Sequence, residues 1–192
     1  MKIPVDRLTD SPASFRFEGD SAWWRSALSP ESGLPGEVED PLEFSCGAHR
    51  MGEDLYLEGA VEGALELECG RCLARYRHEF NEGFRLVLEP AGYRVPADPE
   101  GAAALASDGL CLGDGLEAGW FRGSEIHLGS VFFELVSLAL PVKPLCREDC
   151  AGLCPQCGAN FAAASCSCAK AKSDSPFAVL ADMRDGLTRG GK

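Results

Sequence analysis

Six cysteines lie close together in the last quarter of the chain, between positions 146 and 168. Cys154 and Cys157 are separated by Pro-Gln, so both thiolates can face one metal ion across a tight turn. Gly158 follows and permits a positive φ, which lets backbone amides point at the sulfurs. The segment is therefore predicted to hold one structural Zn²⁺ ion, which is normally four-coordinate in such sites.

This cluster offers more sulfurs than one zinc ion needs. The candidate ligands are Cys146, Cys150, Cys154, Cys157, Cys166 and Cys168. The turn from Cys154 to Cys157 is the better-defined half, and the other two ligands stay open among the remaining four. Because no histidine lies in the cluster, all-sulfur ligation is favoured, with zinc ahead of iron. Buried or spare thiols without a metal are the alternative interpretation.

A second pair, Cys69 and Cys72, is separated by Gly-Arg and follows a predicted strand. Nearby cationic side chains lower a thiol pKa, so redox chemistry is one interpretation. A thioredoxin-like motif, however, needs a βαβ context, and the flanking sequence predicts antiparallel strands. Half of a metal site, or a tight turn with inward-facing thiols, is the preferred interpretation, and the sequence leaves both open.

The sequence otherwise indicates a protein that is not an enzyme. It contains no HExxH motif, no phosphate-binding loop and no pair of acids with an evident base. Its three histidines, His49, His78 and His127, are dispersed, so no Ser-His-Asp set is indicated. A catalytic zinc would need an open coordination position. The only acids in the cysteine cluster, Glu148 and Asp149, stand between ligand candidates in a short loop.

The formal net charge of −12 is concentrated in one region. Residues 36–68 contain ten acidic side chains and one basic side chain, Arg50. This balance argues against a protein that coats nucleic acid non-specifically, because phosphate neutralisation needs a Lys/Arg surface. No apolar run reaches the roughly 18 residues that span a bilayer, and no apolar signal core follows Met1. The expected location is the cytoplasm, where disulfides are not expected.

Alternation between residues 54 and 69 gives the clearest strand signal. Apolar residues occupy odd positions and acids occupy even ones, which predicts one buried face and one solvated face. Gly59 and Gly63 on the inward face predict a bend, a bulge or a turn between two strands. Residues 84–88 predict a second strand. Such kinked strands favour a curved, barrel-like antiparallel sheet.

Shifts in composition divide the chain. Residues 1–95 are a β-rich N-terminal part, and residues 96–119 are a variable acidic linker. Residues 120–145 predict a strand and a helix that complete the core. Residues 146–170 form the Cys-rich zinc-binding segment, and residues 171–192 a short helix with a basic tail. The predicted fold class is α+β: an antiparallel, barrel-like β domain with few helices and a C-terminal zinc-binding cysteine segment.

Two stretches resemble the YceD family, the large ribosomal RNA subunit accumulation proteins of bacteria and plastids. Residues 67–73, Leu-Glu-Cys-Gly-Arg-Cys-Leu, are similar to the CxRCL motif of that family. Residues 140–160 resemble its C-terminal segment, and residues 175–180 look like its usual ending. The motifs occur in the family's order. Residues 161–165 depart from its pattern, which often has a Leu-Asn-containing turn there.

The resemblance implies a non-enzymatic bacterial ribosome-assembly factor that supports synthesis and accumulation of the large-subunit (23S) ribosomal RNA. The expected mechanism is binding of precursor ribosomal RNA. Arg71, Arg75, Arg77 and Arg85 are the candidate RNA-binding residues, because arginine pairs with phosphate and stacks on bases. The alternative is an acidic adaptor or chaperone for a basic large-subunit ribosomal protein, since complementary charge steers encounter. Neither a membrane nor a small-molecule substrate is expected as a partner.

Overall fold

The structure is a computed structural model, and it separates into two compact units, Met1–Cys150 and Ala151–Lys192. The residues it describes are 1–28, 36–113, 117–161 and 166–168. The short helix and basic tail predicted for residues 171–192 therefore lie outside the described residues.

Eight strands form two sheets in the described part of the first unit. They are β1 (Lys2–Pro4), β2 (Ala13–Gly19), β3 (Leu42–Met51), β4 (Asp54–Glu68), β5 (Arg75–Pro90), β6 (Leu110–Leu112), β7 (Ala118–Phe121) and β8 (Glu125–His127). The main sheet has the order β2-β3-β4-β5-β7-β6. Its neighbours are antiparallel except β5 and β7, which are parallel. β1 pairs only with β8, in a separate antiparallel ribbon.

The main sheet is open, which corrects the barrel-like form predicted from the sequence. Its edge strands are β2 and β6, and in the described residues they do not pair with each other. The predicted mainly antiparallel sheet with few helices is present. In β4 the alternation also holds, because the odd-numbered leucines from Leu55 to Leu67 are buried and Glu58 and Glu62 are exposed.

Gly59 does not form the bend or turn that its position predicts. β4 runs without interruption through Gly59 and Gly63, and Gly59 lies opposite Cys46 of β3. A Cβ atom at Gly59 would collide with the backbone carbonyl oxygen of Ser45. The glycine therefore permits close approach of β3 and β4 rather than a reversal of the chain.

Three α-helices accompany the strands in the described residues. They are α1 (Ser21–Ala27), α2 (Pro99–Ser107) and α3 (Gly129–Ala139), and a 3-10 turn spans Val5–Arg7. The Asp20 carboxylate caps α1 by accepting a 2.7 Å hydrogen bond from the Trp23 amide. α2 and β6 lie within the segment predicted as a linker. None of these helices is long and apolar enough to cross a membrane.

α3 covers the inner face of the main sheet with a cluster of aromatic rings. Phe132 is fully buried, and its ring stacks on Phe44 of β3 with centroids 4.5 Å apart. Phe17 of β2 and Phe84 of β5 contact the same ring at centroid distances of 5.9 and 5.8 Å. One helical side chain thus joins three strands, so its packing fixes the position of α3 on the sheet.

Replacement Phe132→Ala is expected to lower the free energy of unfolding by about 3–5 kcal/mol, because it empties a buried ring site. Replacement Leu138→Ala is the matched control, since Leu138 lies on the same helix and is 64% exposed. The control should change the free energy by less than about 0.5 kcal/mol. Chemical denaturation followed by circular dichroism measures both, and equal effects would contradict the described packing.

Candidate metal centres

Four cysteines from distant parts of the first unit meet beyond the end of β4. Cys69 and Cys72 lie in the connection from β4 to β5, and Cys146 and Cys150 follow α3. Their four Sγ atoms lie within 4.8 Å of one another. The Sγ atoms of Cys69 and Cys150 are 3.8 Å apart, and those of Cys72 and Cys146 are 3.7 Å apart. We call these four residues the first cysteine group.

The connection from β4 to β5 forms a tight turn that brings its two cysteines together. The Cys69 amide donates to the Ala74 carbonyl, and the Leu73 amide donates to the Cys69 carbonyl, both at 2.9 Å. Leu73 has a φ of 58°, a left-handed conformation that is uncommon for a residue other than glycine. The turn also directs the Arg71 amide at the Cys69 sulfur, 3.5 Å away.

Hydrogen bonds join this turn to the segment that carries the other two cysteines. The Gly70 amide donates to the Pro144 carbonyl at 2.8 Å. The Arg71 guanidinium donates to the carbonyl of Cys150 at 2.8 Å and to that of Glu148 at 3.4 Å. Arg71 thus fixes the loop that holds Cys150, although the sequence suggested it as an RNA-binding residue.

The surroundings of the first group favour the charged form of one thiol. The Cys146 amide donates to the Cys69 sulfur and lowers the Cys69 pKa to about 6, against the opposing effect of burial. Amides of Arg71 and Cys72 act in the same direction. Burial raises the pKa of the Cys146 thiol to about 12, and its hydrogen bonds with Cys72 and Cys150 add to this. A bound cation would offset that burial, because metals bind thiolates.

A second cysteine group lies in the second unit. Its members are Cys154, Cys157, Cys166 and Cys168, whose Sγ atoms also lie within 4.8 Å of one another. The Cys166 sulfur is 3.4 Å from that of Cys154 and 3.5 Å from that of Cys157. Cys154 is buried, whereas Cys157 and Cys168 are exposed. This group is therefore more open to solvent than the first group.

A turn at Gly158 positions the first half of the second group. Gly158 has a φ of 71°, and its amide donates to the Cys154 carbonyl at 2.8 Å. The Cys154 amide donates to the Ala159 carbonyl at 2.8 Å, which closes the turn. Amides of Cys157 and Gln156 lower the pKa of the Cys154 thiol to about 6. The backbone therefore presents donors to this sulfur, as expected for a thiolate that binds a metal.

The six cysteines predicted as one pool are divided between two groups of four, which Cys69 and Cys72 complete. Cys146 and Cys150 belong with Cys69 and Cys72, and the four remaining candidates form the second group. The number of cysteines in the two clusters could have suggested two sites, because eight sulfurs complete two tetrahedra, but it does not say which cysteines belong together. Cys46 and Cys111 belong to neither group and are buried elsewhere. Both groups have a donor set that could hold a metal ion.

The other predicted arginines lie on the outer face of β5 and contact carboxylates. Arg75 pairs with Glu66 at 2.8 Å. Arg77 pairs with Asp40 at 3.1 Å, and Arg85 approaches its cross-strand neighbour Glu58 at 4.0 Å. Further carboxylates, those of Glu37 and Glu79, contact Arg75 and Arg77. The structure therefore places Arg75, Arg77 and Arg85 on one strand and Arg71 in the turn beside the first cysteine group.

Each of the three histidines contacts a different part of the first unit. The His49 ring stacks on Tyr56, with centroids 5.4 Å apart. His78 lies 3.3 Å from the Ala139 carbonyl, and His127 lies 3.1 Å from Glu125. Among the described residues these contacts form no set of acid, base and nucleophile. The site chemistry is therefore that of sulfur ligands.

The chain is a β-rich protein that could hold metal ions. Its open β-sheet unit contains one four-cysteine group, and the segment that follows contains the other. The chain belongs to the family described as Large ribosomal RNA subunit accumulation protein YceD, whose model matches residues 57–184. The match spans every cysteine of both groups and confirms the resemblance carried by the sequence motifs.

Relatives from plants and bacteria are similar to this chain. The Arabidopsis thaliana protein named large ribosomal RNA subunit accumulation protein YCED homolog 1, chloroplastic, is 23% identical over 166 residues, covering 77% of this chain and 50% of that protein. The Zea mays protein of the same name is 27% identical over 168 residues, covering 74% and 56%. An uncharacterized protein of Mycobacterium tuberculosis (strain ATCC 25618 / H37Rv) is 31% identical over 121 residues, covering 63% and 52%.

The chain spans about half the length of these curated relatives. No solved structure matches the chain. Membership of the family therefore rests on sequence similarity.

Replacement Arg71→Met is expected to weaken metal retention by the first group about 10- to 100-fold, because residues that orient ligands contribute on that scale. The matched control is Arg147→Met, which removes an arginine of the same loop whose side chain pairs with Asp149 at 3.3 Å. Competition of each purified variant with a chromogenic zinc chelator measures retention. Equal retention in the two variants would contradict a supporting role for Arg71.

Proposed function

We propose that this chain supports accumulation of the large-subunit ribosomal RNA, 23S in a bacterial cell, as a ribosome-assembly factor. The family match to residues 57–184 carries the proposal. The plant relatives are named large ribosomal RNA subunit accumulation proteins, which agrees with it. The chain would act by binding a partner rather than by catalysis, in keeping with the family's description as an accumulation protein. The cytoplasm is the proposed location.

Zinc in the second cysteine group is part of this proposal. Four sulfurs around a tetrahedral Zn²⁺ at about 2.3 Å lie about 3.8 Å from one another. The separations of 3.4 and 3.5 Å from the Cys166 sulfur approach this value. The metal would be structural, since four protein ligands leave no open position for a substrate. Its contribution would be to hold the short cysteine segment in one fold.

Contact with precursor ribosomal RNA is the first candidate mechanism. Arg75, Arg77 and Arg85 lie at odd positions on the solvent face of β5, and their side chains are 65%, 50% and 86% exposed. Such a row can follow a phosphate backbone. RNA phosphates would have to compete with the carboxylates that these arginines contact. Arg71 would act indirectly, by holding the turn next to this strand.

The triple replacement of Arg75, Arg77 and Arg85 by Gln is expected to weaken binding to precursor large-subunit RNA. The slope of log affinity against log salt should fall by about 3, one unit for each lost phosphate contact. Replacement of Arg7, Arg25 and Arg50 by Gln is the control with the same charge change on other elements. Filter binding at several salt concentrations measures both, and equal slopes would count against this RNA surface.

An acidic adaptor for a basic ribosomal protein is the second candidate, and a row of glutamates favours it. Glu18 lies opposite Glu43, and Glu43 lies opposite Glu62, on neighbouring strands. Like charges in such positions destabilise a sheet. Within the described residues neither Glu18 nor Glu43 forms an ion pair. A Lys/Arg-rich segment would neutralise the row, and complementary charge would speed the encounter.

The triple replacement of Glu18, Glu43 and Glu62 by Gln is expected to reduce capture of purified basic large-subunit ribosomal proteins. The fold should be as stable as before or more stable, because the repulsion is removed. Replacement of Glu53, Glu100 and Glu134 by Gln is the matched control on other exposed positions. Pull-downs with and without RNase, read beside thermal melting, separate the two mechanisms. Capture that disappears with RNase, or is equal in both variants, would contradict the adaptor.

A further inference from the structure

We propose that the first cysteine group, Cys69, Cys72, Cys146 and Cys150, is a second structural zinc site, separate from the site of the second group. Its ligands come from two segments of the chain, and one of them carries Cys69 and Cys72, for which the sequence left half of a metal site and a tight turn both open. This inference goes beyond the proposed function, because it holds whichever partner the outer face binds.

The distances between the sulfurs fit one tetrahedral ion. Zinc–sulfur bonds of about 2.3 Å place the sulfurs of a regular tetrahedron about 3.8 Å apart. Two of the six separations in the first group are 3.8 Å, for Cys69 with Cys150, and 3.7 Å, for Cys72 with Cys146, and all six are within 4.8 Å. These pairs connect the two segments, so each segment supplies two of the four ligands. A site with four protein ligands is the form that structural zinc takes.

Disulfides fit the same group poorly. A disulfide bond is about 2.05 Å long, whereas the sulfurs here stand almost twice as far apart. In a disulfide, Cys69 would no longer be a thiolate. The Arg71 backbone amide that points at its sulfur would then lose its charged acceptor. A cation among the sulfurs keeps that hydrogen bond and satisfies all four thiols together.

Spare buried thiols are also a poor explanation of the group. Buried cysteine can pack as a small apolar residue, as Cys46 and Cys111 do in this chain. Those two stand alone, whereas Cys69, Cys72 and Cys150 are buried together and converge with Cys146. The four sulfurs come together from positions 74 and 81 residues apart in the sequence. A metal ion requires such convergence, whereas apolar packing does not.

Hydrogen bonds outside the sulfurs hold the two ligand segments in place. The Gly70 amide bonds to Pro144, and the Arg71 guanidinium bonds to the carbonyls of Glu148 and Cys150. These contacts join the two segments through groups other than the sulfurs. Ligand geometry is therefore set by neighbours of the ligands, as in metal sites whose outer hydrogen bonds orient the donors.

Zinc content of the purified full-length chain tests the site. Elemental analysis should find two zinc ions per folded chain in the unchanged protein. Replacement Cys72→Ser should leave one, because a first group of three sulfurs loses its ion. Replacement Cys154→Ser should also leave one, whereas Cys111→Ser, a buried cysteine outside both groups, should leave two. Two ions in Cys72→Ser, or one ion in the unchanged chain that Cys154→Ser removes, would overturn the proposal.

Cobalt spectroscopy keeps the test decisive if Cys72→Ser does not fold. The double variant Cys154→Ser, Cys157→Ser retains all four ligands of the first group. Loaded with Co²⁺, it should show the intense visible bands of tetrahedral cobalt and sulfur-to-cobalt charge-transfer absorption for one ion. Added Zn²⁺ should remove both signals. A spectrum of octahedral aqueous cobalt in this variant would overturn the first-group site without affecting the RNA or adaptor mechanism.

Discussion

The attachment of the turn after β4 to the segment after α3 is the constraint on which the cysteine chemistry depends. It joins positions 74 and 81 residues apart through sulfur contacts, and the bonds of Gly70 and Arg71 reinforce it. Cross-linking a loop of this length lowers the conformational entropy of the unfolded chain. In the simplest entropic model this stabilises the folded state by about 4 kcal/mol. A metal that closes it would thus contribute on the scale of a whole domain's net stability.

The two faces of the main sheet serve different purposes. The inner face is held by aromatic packing around Phe132, which needs no charge. The outer face carries both the arginines of β5 and the glutamates of β2, β3 and β4, and much of its charge is compensated locally. Where compensation is incomplete, as at Glu18 and Glu43, the surface retains an electrostatic cost that a partner can relieve. Under the proposed function, the inner face would stabilise the fold and the outer face would bind the partner.

Sequence patterns anticipated the local features of this protein and missed the long-range ones. Alternation revealed β4 because burial on one face imposes a period of two, and the motifs identified the family. The sequence did not indicate an open sheet, because a glycine within a strand can mark either a bend or a close approach of the neighbouring strand. Gly59 marks a close approach to β3. Cys69 could not be grouped with Cys150, since spacing reports only neighbours along the chain. The role of Arg71 depends on two distant carbonyls, which no local pattern encodes.

The parallel pairing of β5 with β7 has a consequence for how the chain can change. Parallel neighbours cannot be joined by a tight turn, and the crossover between them needs a dozen residues or more. The segment with α2 and β6 supplies this crossover, so a minimum length of it is a topological requirement. A deletion that left fewer than about a dozen residues there would detach the edge of the sheet, whereas added residues meet no such limit. Length variation among homologous chains should therefore be one-sided, with additions tolerated and losses selected against.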